Sequence, residues 1–149
     1  MARVLISGIT GFSGQHLLEL LIGEGKHQIL GIGRNLPPPG VLDWEFRGVD
    51  LLARGELKKV FLDFSPEWIF QLVGLNAGTP SGLLAANYLT TKCLIEAVVE
   101  SLEGEKTRIL VIGSAAEYGE SGRSGEALSE TALLRPVNEY GRSKVKQTN

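Results

Sequence analysis

Two groups of residues have the types and spacing to do chemistry. Near the amino end, Gly8, Gly11 and Gly14 stand three apart in VLISGITGFSG, residues Val4 to Gly14. Near the carboxyl end, Tyr140-Gly141-Arg142-Ser143-Lys144 sets a phenol and an ammonium four apart, with Ser114 upstream. On a helix, positions i and i+4 share a face, so the Lys144 ammonium can lie near the Tyr140 phenol, favour its ionised form and lower its pKa from about 10. A phenol tuned in this way can act as general acid or base near neutral pH. A serine hydroxyl at the carboxyl end of a strand could hold the same carbonyl or alcohol oxygen of a substrate. A Tyr-x-x-x-Lys pair is by itself a common surface feature of helices. Downstream of a glycine turn and a strand-end serine, it reads as a hydride-transfer site.

The glycines need an anion to explain them. A strand that ends at Gly8 and turns into a helix from about Phe12 aims that helix's unpaired N–H groups at the turn. Those of Phe12 and Ser13 are among them, and the positive end of the helix dipole points the same way. Gly8 permits the tight turn, Gly11 admits a pyrophosphate to the backbone, and Gly14 lets the helix pack close to the strand. A plain structural turn also explains a glycine triplet, but this one falls at the first strand-to-helix junction of the chain. A nucleoside-triphosphate loop would need Lys-Ser or Lys-Thr after its last glycine, and Gln15-His16 stand there.

About 20 residues beyond the glycines, a carboxylate selects a ribose 2′-hydroxyl and an arginine accepts a 2′-phosphate. The chain has Gly33-Arg34-Asn35 at that point and no acid. This suits NADP better than NAD, with Arg34 on the phosphate and Asn35 hydrogen-bonding beside it. A solvated loop charge is the other explanation of Arg34. Asp50-Leu51, at the end of the third expected strand, could accept a hydrogen bond from an adenine amino group; a helix N-cap explains Asp50 equally well.

The elements that must position these residues alternate. Strands are expected at Val4 to Ser7, Gln28 to Gly33, Phe46 to Asp50, Trp68 to Val73 and Arg108 to Gly113. Most are continuous apolar runs, as in strands covered on both faces of a parallel sheet. Helical patterns occupy Gly14 to Gly23, Arg54 to Asp63 and Ser81 to Leu102, and the Tyr140 segment is a further helix. The fold class is therefore α/β, a doubly wound, Rossmann-type parallel sheet in a single domain over residues 1–149. Pro37-Pro38-Pro39-Gly40 reads as a surface loop.

In the order in which they occur, GITGFSG (Gly8 to Gly14), QLVG (Gln71 to Gly74), NYLTTKCLIEA (Asn87 to Ala97), GSAAEYG (Gly113 to Gly119) and RPVNEYGRSK (Arg135 to Lys144) resemble the extended short-chain dehydrogenase/reductases, which act on nucleotide sugars. The resemblance implies Ser114, Tyr140 and Lys144 as the catalytic trio, with Lys144 also holding the nicotinamide ribose. It further implies that Val73 and Gly74 line the cofactor and that Asn87 is a supporting helix residue. Gln71 departs from the family's commoner histidine. Dehydrating members carry an acidic pair just after the serine, where this chain has Ala115 and Ala116, and Gly33-Arg34 departs from the acid with which epimerases hold NAD. A reductase is expected, and Arg135-Pro136-Val137-Asn138 is most similar to members that reduce GDP-4-keto-6-deoxy-mannose. The resemblance also implies further strands and a sugar-binding region, hence a sheet incomplete at the carboxyl end and a 149-residue fragment inactive alone. The full-length protein is expected to form a homodimer through two long helices.

Composition excludes other classes. With 43% hydrophobic and 21% charged residues and a net charge of −2, neither disorder nor a nucleic-acid surface is indicated. Cys93 is the only cysteine, which excludes an intramolecular disulfide and a multi-cysteine metal site; no metal ligands are expected. No run approaches the roughly 18 apolar residues of a membrane span, and Met1-Ala2-Arg3 leads directly into a strand. A cytoplasmic location with no membrane partner is expected.

Overall fold

The computed structural model describes residues 1–35, 37, 44–102, 107–125 and 127–149. Five parallel strands, β1 (Ala2–Ser7), β2 (His27–Gly33), β3 (Glu45–Gly48), β4 (Trp68–Gln71) and β5 (Arg108–Val111), form one sheet in the order β3-β2-β1-β4-β5. Helices α1 (Phe12–Glu24), α2 (Arg54–Phe64), α3 (Pro80–Ser101) and α4 (Glu139–Thr148) follow β1, β3, β4 and β5 in turn. The doubly wound architecture is as expected from the sequence. The surface-loop reading of Pro37-Pro38-Pro39-Gly40 falls, apart from Pro37, outside the described residues.

Period-two alternation along the central strands feeds two cores. Val4 and Ile6 face one side with Leu18, Leu21 and Ile29, beneath α1. Leu5, Leu30 and Ile69 face the other with Phe61, Leu94 and Val98, beneath α2 and α3. Both faces of β1 and β2 are thus covered, which is why their sequences are continuous apolar runs. On the outer face of the α2–α3 pair, Arg54 meets Glu96 at 3.0 Å and Lys58 meets Glu100 at 3.1 Å. These pairs are exposed and add little stability.

Three strand ends are shorter than the apolar runs suggest: β3 stops at Gly48 rather than Asp50, β4 at Gln71 rather than Val73, and β5 at Val111 rather than Gly113. Beyond β3 the apolar residues Val49 and Leu51 are buried without ladder pairing, whereas beyond β5 Ile112 is half exposed. Helix α3 runs 22 residues and includes a π-helical stretch at Leu84–Leu89. By length and mean hydropathy it matches a membrane span, which qualifies the expectation drawn from the sequence. Part of its apolar surface is occupied, since Leu94 and Ala97 are completely buried in the core, while Ile95 and Val99 are exposed.

Candidate active site

Strand order fixes where the site is. From β1 the chain crosses toward β2 on one side, and β4 lies on the other, so a crevice opens at the carboxyl ends of β1 and β4. Gly8 closes β1 with φ +71°, and a Cβ there would come within 3.0 Å of the Leu72 and Val73 backbone leaving β4. Only glycine combines that conformation with that approach. A Cβ on Gly14 would fall 2.6 Å from Ile9 Cα and collide with the Gly8 carbonyl oxygen, so the first turn of α1 sits directly on the strand-end turn. Gly11 is the N-cap, with no side-chain cap, and its N–H donates to the Gly8 carbonyl at 2.9 Å. The first bond of the helix runs from Gln15 N–H to the Gly11 carbonyl, leaving the N–H groups of Phe12, Ser13 and Gly14 without intrahelical partners. No acidic side chain stands in this first turn.

Two adjoining cavities of about 370 and 430 Å³ meet at Gly8, Val73 and Leu75. The first extends to Arg34 and Asn35 at the end of β2 and to Asp50 and Leu51 beyond β3. The second holds Gly11, Phe12, Ser13 and Gly14 on one wall. Gly74, Asn87, Tyr140 and Lys144 line the same cavity. The glycine turn and the Tyr140–Lys144 pair therefore share one cavity although about 130 residues separate them. Positive φ at Gly8, free N–H groups at the helix start and a bipartite cavity are the features an extended dinucleotide requires.

Helix α4 presents Tyr140 and Lys144 from the same side, and Asn138 caps it by accepting the Gly141 N–H at 2.8 Å. Lys144 is 5% exposed. Its ammonium donates to the Ile112 carbonyl and to the Gln147 amide oxygen. Burial pushes it below the usual lysine range, and the nearby Glu117 carboxylate opposes that shift. Tyr140 is half-buried at the cavity wall.

Ser114 is placed differently from the sequence expectation. It lies three residues beyond β5 rather than directly after it, and it lines neither cavity. It is the N-cap of a 3₁₀ turn, Ala115–Glu117: its Oγ accepts from Ala116 N–H at 3.2 Å while Glu117 accepts the Ser114 N–H at 2.7 Å. This reciprocal cap fixes the serine backbone but does not consume its hydroxyl proton. Glu117, only 6% exposed, also accepts the Thr148 hydroxyl at 2.6 Å, pinning the turn to α4. Glu117 was not among the residues expected from the sequence, although Ser114-Ala115-Ala116-Glu117 has the S-x-x-E spacing that announces such a cap.

Asp50 is not a helix N-cap. Ala53 occupies the cap position of α2 without a side-chain bond, and Asp50 instead accepts the Leu52 N–H at 3.0 Å, turning the chain back toward the cavity. Asn87, in the π-helical stretch, has its amide committed to protein. Its oxygen accepts from Leu75 N–H at 2.8 Å, and its nitrogen donates to the Leu75 carbonyl and the Ser143 hydroxyl at 2.9 and 2.8 Å. It ties the β4 loop to α4, as befits a supporting residue. Gln71 is also a hub, 1% exposed, accepting from Ser7 and donating to Thr90 and Thr91 at 3.3 Å each.

The family described as NAD dependent epimerase/dehydratase matches residues 4–149. The chain belongs to that family. Among curated relatives, it is 25% identical to dTDP-glucose 4,6-dehydratase of Neisseria meningitidis over 97% of the chain and 46% of the relative. It is also 25% identical to GDP-6-deoxy-D-talose 4-dehydrogenase of Aggregatibacter actinomycetemcomitans, over 95% of the chain and 45% of the relative. The solved UDP-Glc/GlcNAc 4-epimerase of Campylobacter jejuni superposes with a TM-score of 0.82 at 23% identity, covering 99% of this chain and 47% of that one. The chain thus spans about half the length of the relatives it matches.

Proposed function

We propose that the protein of which this chain forms the dinucleotide half reduces a 4-keto sugar nucleotide with NADPH, the substrate being of the GDP-4-keto-6-deoxy-mannose type. The observation that carries the reading is the shared cavity, which Tyr140 and Lys144 line together with the N-terminal turn of α1. Arg34 and Asn35 on the rim of the adjoining cavity favour the phosphate-bearing cofactor, because a guanidinium pairs bidentately with phosphate. Ala115 and Ala116, in place of an acidic pair, argue against a dehydratase. One relative's name, GDP-6-deoxy-D-talose 4-dehydrogenase, specifies redox chemistry at carbon 4 of a GDP-sugar.

NADPH, when bound, supplies the hydride. In this reading the Tyr140 phenol gives its proton to the carbonyl oxygen, so that the carbonyl carbon gains a hydride, its oxygen a proton, and the ketone becomes an alcohol. Lys144 holds a positive charge beside the tyrosine, favouring the phenolate left behind. Ser114 keeps its hydroxyl proton but lines neither cavity, so the proton transfer is assigned to Tyr140 with Lys144 alone.

The test is a turnover assay of the whole protein with NADPH and GDP-4-keto-6-deoxy-mannose. Stoichiometric loss of nicotinamide absorbance with formation of the 4-hydroxy sugar supports the reading. Interconversion of sugars without net NADPH consumption would make the protein an epimerase, and cofactor binding with no turnover of any nucleotide sugar would make it a binding module.

A further inference from the structure

A chain of buried and part-buried hydrogen bonds runs from the end of β1 to Lys144. Ser7 donates to the Gln71 oxygen, the Gln71 nitrogen to Thr91 Oγ1 at 3.3 Å, the Gln147 nitrogen to the same Thr91 oxygen at 3.0 Å, and Lys144 to the Gln147 oxygen. Ser7, Gln71, Thr91 and Lys144 are all 5% exposed or less. The direction of this chain follows from donor and acceptor capacity. Thr91 has one hydroxyl proton, and it goes to the Asn87 carbonyl at 2.9 Å, so toward both glutamines Thr91 can only accept. Gln147 must therefore show Thr91 its NH₂ and Lys144 its oxygen. A reversed amide would set NH₂ against an ammonium and oxygen against oxygen.

We propose that Gln147 is a positioning residue: with its amide direction fixed by Thr91, it holds the Lys144 ammonium at its place on α4 and so sets where that charge stands relative to Tyr140. The inference rests on the reading of Lys144 as the lysine of the site. An ammonium 5% exposed needs acceptors, and among the described residues these are the Ile112 carbonyl at the β5 end and the Gln147 oxygen. The Ile112 carbonyl anchors one side through backbone that no side-chain change alters. Gln147 is the adjustable partner, one helical turn beyond the lysine. The ionisable groups facing Lys144 are Glu117, from the 3₁₀ turn, and Tyr140, one turn earlier on α4. From α3 and β4 come only neutral groups, Asn87, Thr91 and Gln71, since Glu96 and Glu100 pair with Arg54 and Lys58 on the opposite side of α3.

The experiment is an NMR titration of the Lys144 side chain in protein carrying isotope-labelled lysine, with the signal assigned by its loss in Lys144→Met. Gln147→Met keeps the length of the side chain and removes the acceptor, so the Lys144 midpoint is expected to fall by about one pH unit. Gln147→Glu restores an acceptor and adds a negative charge, so the midpoint is expected to rise above that of the parent by roughly one unit. A merely structural glutamine would lower stability in both variants and leave the titration unmoved. Midpoints within a few tenths of the parent in folded variants would overturn the proposal; if Gln147→Met does not fold, Gln147→Glu decides alone by the same criterion. NADPH affinity measured on the same samples separates the two readings. A moved midpoint in a protein that binds no dinucleotide would sink the proposed function and leave the positioning contact standing, whereas an unmoved midpoint in a protein that binds it would do the reverse.

Discussion

Replacing Gly14 with alanine would drive a methyl group into the turn that shapes the site. The added carbon would lie 2.6 Å from Ile9 Cα and 2.8 Å from Ile9 C, where ordinary contact begins near 3.4 Å, and closer still to the Gly8 carbonyl oxygen. All three obstacles are backbone in a buried turn, so α1 must retreat by roughly an ångström. Overpacking of this kind costs about 1–3 kcal/mol, a fall in melting temperature of roughly 3–10 °C for a domain of this size. The same retreat carries the Phe12 and Ser13 N–H groups away from the anion they would hold. Weakening one charge-assisted bond there lowers dinucleotide affinity by roughly ten- to a hundredfold. Gly23→Ala is the control within the same helix: nothing lies within 4 Å of its added carbon, and the change should stabilise the fold by about 0.5 kcal/mol and leave binding unaltered. Thermal unfolding and NADPH titration of both variants check this. A Gly14→Ala protein as stable as its parent, binding cofactor equally well, would refute the close-packing argument.

Arg34→Ala should shrink the preference for NADPH over NADH by about tenfold or more, read by paired titrations; equal affinities in the parent would already remove the arginine's proposed role. In the whole protein, Tyr140→Phe should lower turnover by roughly 10² to 10⁴ with cofactor binding nearly unchanged, and activity within a factor of about three would exclude Tyr140 as the acid. Because burial lowers the Lys144 pKa from the ordinary 10.5, the folded state carries a charged lysine at a disadvantage below its folded pKa, and that disadvantage fades as pH rises toward 10.5. Lys144→Met should therefore be more favourable relative to the parent at neutral pH than near pH 10, and a stability difference flat with pH would contradict this. Gln71→Leu removes the amide bonds to Ser7, Thr90 and Thr91, but Ser7 keeps the Phe70 carbonyl and Thr91 keeps Asn87 and Gln147, so the change should cost only about 1 kcal/mol in chemical denaturation.

The parallel sheet was legible because burial on both faces writes itself into β1 and β2 as unbroken apolar runs. The glycine turn was legible because no other residue type meets the demands at Gly8 and Gly14. The spacing of Tyr140 and Lys144 announced one helix face, and α4 delivers it. What the sequence could not show is how the lysine is held. Gln71, Thr91 and Gln147 lie on three different elements, and their convergence depends on how α3 and α4 pack against the end of β4, a long-range property with no local signature. For Asp50 the sequence left an adenine-amino acceptor and a helix N-cap equally open, and only the position of Ala53 at the helix start decides against the cap. Ser114 was placed at a strand end because Ile112 and Gly113 continue an apolar run that pairs with nothing.

The central claim is that the glycine turn and the rim bearing Arg34 form one dinucleotide site. An amide NMR titration of the 149-residue chain with NADPH tests it most directly. The account predicts saturable shifts led by the Phe12, Ser13 and Gly14 amides, with Arg34 and Asn35 moving at the same concentration. Shifts confined to other surfaces, or none at millimolar cofactor, would contradict it.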